Sequence, residues 1–63
     1  MDAGLESWYD MLADQIVAEY AEVIRNIGAN EVVADWIDCG KVDGVKPDFC
    51  RLLDLVEKKM SYL

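Results

Sequence analysis

The stretch that decides the fold is LESWYDMLADQIVAEYAEVIRNI, from Leu5 to Ile27. Its apolar residues Leu5, Trp8, Leu12, Ile16, Tyr20, Val23 and Ile27 recur at spacings of three or four, the period of one helix face. Tyr9, Ala13, Val17 and Ile24 widen that face to roughly half the circumference, broader than an ordinary core-facing stripe. Asp2 stands where an N-cap is wanted, Glu6 complements the dipole in the first turn, and Gly28 follows the last periodic residue as a C′ glycine should. These features predict a helix over 5–27, about 35 Å long at 1.5 Å per residue.

Beyond Gly28 the pattern continues in shorter units. Asn30 can cap a second helix with Glu31 in its first turn. Val32, Val33, Trp36 and Ile37 form a compact apolar patch, and Gly40 ends the segment, so a helix is predicted over 31–39. Lys41 to Lys46 reads as a loop with an Asp43-Gly44 turn. Pro47 suits the first helical position and biases Lys46 towards an extended backbone. Phe49, Leu53, Val56, Met60 and Leu63 then keep helical spacing, Leu52 and Leu55 widen their face, and Lys58 and Lys59 favour the C-terminal end of the dipole. The third helix is predicted over 47–61.

The expected fold is therefore all-α, with residues 1–63 forming a single three-helix domain and helices 2 and 3 packed along helix 1. Neither later helix, at about 15 and 23 Å, can cover the first alone. Laid end to end they can, and any apolar surface they leave bare favours a dimer or another protein. Trp36 is expected in the core. Tyr9 and Tyr20 are expected to bury their rings and turn their hydroxyls to water.

Composition narrows the function. The chain has 63 residues, 13 acidic and 6 basic side chains, no His, and 54% apolar residues. That apolar fraction is too high for a disordered tail. No run approaches the roughly 20 apolar residues of a membrane span, and no basic segment precedes an apolar one as in a signal peptide. A cytoplasmic setting is expected, the host cytoplasm if the chain is phage-encoded. A net charge of −7 opposes direct binding to a phosphate backbone. Chains of this size bury only about 60% of their unfolded surface and usually need a staple or a partner; here a partner is the expected compensator.

The charge is unevenly placed. Residues 1–38 carry nine carboxylates, Asp2, Glu6, Asp10, Asp14, Glu19, Glu22, Glu31, Asp35 and Asp38, against the single base Arg25. Residues 39–63 carry four carboxylates against five bases. Glu6, Asp10 and Asp14 step by four along helix 1, and Glu22 resumes the row after Ala18. Like charges at that spacing repel by about 0.2–0.5 kcal/mol per pair. A solvated face that keeps the protein soluble accounts for such a row. So does a docking face for a basic surface, with carboxylates spaced like phosphates and steering fast, salt-sensitive association. Met11 falls near the polar face and Trp8 at the edge of the apolar sector, where either is a candidate anchor; the plainer alternatives are a core Trp8 and a scattered surface Met11.

Chemistry is not expected. Without His a Ser-His-Asp triad or a Cys-His pair cannot be built, and three short helices offer little room for a catalytic carboxylate pair. Cys39 and Cys50 cannot complete a zinc site. The run between them lacks three ligands of a calcium loop. In a reducing compartment both thiols are expected to be free. Acids interleave with the bases of helix 3, and the preceding turn is too long for a helix-turn-helix. The Asp-Ser-Leu of acyl carrier proteins is absent. No enzyme, cofactor or metal is expected.

The expected function is that of a small acidic protein-binding inhibitor or regulator. The residues expected to meet the partner are Glu6, Trp8, Asp10, Met11, Asp14, Glu22, Asp35 and Asp38. In size and charge this is the type of small inhibitor made by phages and mobile elements, anti-CRISPR proteins among them, although no motif is shared. The alternative is a structural or regulatory homo-oligomer associating through the apolar faces of helices 1 and 3.

Overall fold

A glycine joint sets the chain path. In the computed structural model, which describes residues 2–40 and 46–62, helix α1 runs over Asp2–Ile27, α2 over Ala29–Asp38 and α3 over Phe49–Met60. Only Gly28 separates α1 from α2. Its φ of +97° and ψ of 151° lie in a region essentially confined to glycine, and its N–H donates to the Ile24 carbonyl at 2.8 Å. Gly40, with φ +68°, closes α2 by donating to the Ile37 carbonyl at 3.1 Å, one of the two bonds of a Schellman end. The expected Asp43-Gly44 turn lies outside the described residues. So do Met1, Leu63 and the side chains of Asp2, Ala3 and Leu5.

The caps differ from those the sequence suggests. Asp2 lies inside α1 rather than ahead of it, and Asn30 lies in the first turn of α2, whose cap position is Gly28 with no side-chain hydrogen bond. The third helix starts two residues later than predicted. Asp48 is its N-cap, and the carboxylate accepts from the Arg51 backbone N–H at 3.0 Å. Pro47, expected in the first turn, precedes the cap and is buried. With Leu52 also buried, these two occupy the N′ and N4 positions of a hydrophobic staple.

All three helices touch one another, and α2 and α3 both pack on α1. The core is Tyr9, Leu12, Ala13, Ile16 and Ile24 of α1, Val32, Val33 and Trp36 of α2, and Leu52 and Val56 of α3. The apolar faces are the predicted ones, but their centres are shifted. On α1, Tyr9, Ala13 and Ile24, expected at the margin, are buried, whereas Val23 and Ile27 of the expected central stripe are 41% and 51% exposed. On α3, Leu52 replaces Phe49 at the centre, and Phe49 is exposed. The helix α1 is also kinked at Tyr20, with φ −122° and ψ 20°. No proline, glycine or serine adjoins Tyr20 to cause this.

Candidate protein-binding surface

The acidic row of α1 is partly answered from within the molecule. Glu6, Asp10 and Asp14 are exposed, yet the Lys59 ammonium lies 2.8 Å from Asp10 Oδ1 and 3.0 Å from Asp14 Oδ1. Lys59 projects from the last turn of α3, so the helix crossing supplies the opposite charge that the Glu6–Asp14 row lacks within its own stretch of α1. The sequence assigned Lys58 and Lys59 only to the helix dipole. Lys58 instead pairs along its own helix with Asp54 at 3.7 Å, while Lys59 fastens α3 to α1. Hydrogen bonds to Asp10 and then Asp14, helped by their charges and opposed by partial burial, raise the Lys59 pKa above 10.5.

The two carboxylates of this clamp remain mostly solvent-exposed, so its contribution is modest. Lys59→Gln is expected to cost up to about 1 kcal/mol in urea unfolding, with the gap narrowing at 1 M salt as the Debye length falls to about 3 Å. The pKa of Lys59 is higher in the folded state, so the stabilisation is fully present below the ordinary lysine value. It is lost as pH rises through the folded pKa, and wild type and variant converge in alkali. A gap unmoved by salt and by alkaline pH would show that the clamp is not electrostatic.

At the other end of α3, Tyr9 couples two elements. Its hydroxyl accepts from the Asp48 backbone N–H at 2.8 Å, so it does not face water as expected. The Arg51 guanidinium lies over its ring at 4.7 Å from the centroid, within cation–π range. Trp8 meets the same ring edge-on at 5.1 Å and is half-buried against the core. Tyr9→Phe keeps both ring contacts and removes only the acceptor. It is expected to cost about 1–2 kcal/mol by leaving the part-buried Asp48 amide unpaired; thermal unfolding followed by circular dichroism at equal salt would measure it. Beside Tyr9 an open cleft of about 520 Å³ is lined by Glu6, Ser7, Asp10, Arg51, Asp54 and Leu55. Its carboxylates outnumber its one base.

The remaining expected partner-binding residues divide by location. Met11 is 52% exposed and stands one turn from Trp8. Glu22, Asp35 and Asp38 are exposed on α1 and α2, and the ion pairs found among the described residues involve none of them. Glu6, Asp10 and Asp14 thus face α3, while Asp35 belongs to a second surface, a groove of about 190 Å³ between the end of α1 and α2. In sequence this groove is hidden, because Val23 and Ile27 keep the spacing of core positions. Cys39 and Cys50 are free and exposed. Among the described residues no cluster of His, Cys, Asp or Glu is arranged to hold a metal ion, and no helix is long and apolar enough to cross a membrane. No protein family, curated protein or solved structure matches this chain.

Proposed function

We propose that this chain is a small acidic helical protein that acts by binding another protein, with no catalysis of its own. The carboxylates of α1 and α2 dock on a basic, nucleic-acid-binding surface of the partner and hold that surface closed to nucleic acid. In size and charge such a protein is of the type of small inhibitors made by phages and mobile elements, anti-CRISPR proteins among them. The observation that carries the reading is the charge division. Nine of the 13 carboxylates belong to the first 38 residues with only Arg25 opposing them, and just Asp10 and Asp14 of the expected docking residues are met by a base among the described residues. An array of exposed carboxylates of one sign steers association and favours a basic partner. The acidic cleft beside Tyr9 suits a lysine or arginine of that partner.

The clamp on Lys59 decides how the reading is tested. Reversing Asp10 and Asp14 would set lysines against Lys59 and disturb the fold together with the surface. Glu22, Asp35 and Asp38 avoid that conflict. The tagged wild-type chain is expected to retain a nucleic-acid-binding protein from host lysate at low salt and release it at high salt, and to compete with duplex DNA for it. The triple variant Glu22→Lys, Asp35→Lys, Asp38→Lys is expected to retain it at least about tenfold less well while keeping its helical circular dichroism. Retention that survives both high salt and the triple reversal would refute acidic docking.

A homo-oligomer is the second reading, favoured by the exposure of Val23 and Ile27 on α1. It predicts a salt-resistant dimer or larger assembly in light scattering with no other protein retained.

A further inference from the structure

The groove between the end of α1 and α2 offers apolar surface and negative charge together. Tyr20, Val23 and Ile27 of α1 line it together with Val32, Asp35 and Trp36 of α2 and Cys39 at the end of α2. Val23 and Ile27 are 41% and 51% exposed, on a helix that buries Leu12, Ile16 and Ile24 and half-buries Val17. Asp35 is the carboxylate that lines the groove, and the exposed Glu19 and Glu31 stand one helical turn before Val23 and Asp35. Residues 19–39 hold five carboxylates and one base.

This combination selects among occupants. A second copy would bring the same acidic border and a further −7 against it, with like charges opposed across the contact. A purely basic segment would leave the apolar walls wet. We propose that the groove is a docking site for a basic amphipathic helix of another protein. An apolar anchor of that helix enters between Val23, Ile27 and Trp36, and its lysines and arginines lie against Glu19 and Asp35. Recognition of this kind reads apolar side chains at helical spacing, with the buried anchor supplying most of the affinity. The inference rests on the protein-binding reading above. It moves the apolar anchor point from Trp8, which is committed to Tyr9 and the core, to the opposite end of α1.

The test uses the full chain and three synthetic amphipathic peptides. The first carries leucine on one face and lysine on the other, the second replaces lysine with glutamate, and the third replaces leucine with serine. Backbone amide shifts are followed by NMR. The leucine–lysine peptide is expected to bind, to move signals across residues 20–27 and 32–39, and to bind more weakly as salt rises. The other two peptides are expected to bind at least about tenfold more weakly. Val23→Ser with Ile27→Ser, at exposed positions, is expected to weaken binding by a similar factor with helicity unchanged, and Tyr62→Ser, at a position 87% exposed, to leave it unaltered.

Equal binding by the serine–lysine peptide, with shifts along Glu6–Asp14, would overturn the groove while leaving acidic docking intact. Binding by neither basic peptide would overturn the groove, and the lysate competition would then decide acidic docking separately. Self-association that Val23→Ser and Ile27→Ser abolish would overturn the proposal in favour of a second copy.

Discussion

Leu52→Ala is expected to remove about 3 kcal/mol or more from the stability of this domain and to leave a measurable unfolded population at room temperature. Leu52 is fully buried at the fourth position of α3, within the single core shared by all three helices. Deleting its methyl groups loses their transfer free energy and adds a cavity term, together about 2–5 kcal/mol for such sites. A chain of this length has roughly 0.05–0.15 kcal/mol of net stability per residue, about 3–9 kcal/mol in all. The loss is therefore a large share of the total. Urea unfolding read by tryptophan fluorescence would measure it, with Leu53→Ala at the half-buried neighbouring position as the milder comparison. If the two variants lost equal stability, the placement of Leu52 at the centre of the α3 face would be wrong.

The second large effect concerns the joint between α1 and α2. Gly28→Ala is expected to cost about 1–3 kcal/mol, because an L-residue pays for backbone dihedrals of this kind wherever the surroundings hold them. Space is not the issue, since a Cβ built on Gly28 meets nothing within 4 Å. The cost is one of conformation, and a side chain other than alanine should not escape it. Gly40 gives the contrast. Its φ of +68° lies in the left-handed region that asparagine also visits, so Gly40→Asn should be tolerated far better than Gly28→Asn. Chemical denaturation of the three variants would settle the order. Equal costs at the two glycines would mean that the α1–α2 joint relaxes.

A relaxed joint would also bear on the groove. Gly28 is the only residue between the helices that form it, so a substitution that reorients α2 should weaken a groove ligand more than a ligand of the Glu6–Asp14 row. That difference links backbone geometry to binding and can be read with the same peptides.

Much of the fold is legible in local chemistry. The three- and four-residue spacing from Trp8 to Ile27 requires a helix, and the glycines at 28 and 40 mark its end and that of α2. The patch of Val32, Val33 and Trp36 is buried as its spacing implies. Boundaries were less legible. Pro47-Asp48 can start a helix at either residue, and the cap is decided by the carboxylate of Asp48 reaching the Arg51 N–H. The Asp followed by helix-forming residues was the available signal.

The site was legible in its charge and not in its geometry. Glu6, Asp10 and Asp14 form a visible row, but Lys59 is 45 residues or more from each of them in sequence, and only the α1–α3 crossing brings it to Asp10 and Asp14. Tyr9 reads as an amphipathic surface ring, yet its hydroxyl accepts from the backbone N–H of Asp48 at the start of α3, 39 residues away. The sequence by itself determined that there would be three amphipathic helices of these approximate lengths, broken at glycines, with the negative charge gathered on the first two. Periodicity, dihedral preference and formal charge are properties of residues and their near neighbours. Tertiary structure alone decided which part of each wide apolar face is covered, that α1 bends at Tyr20, and that Val23 and Ile27 face a groove while Ile24 enters the core. A face spanning half a helix admits several packings, and the choice among them depends on the volume that α2 and α3 fill together.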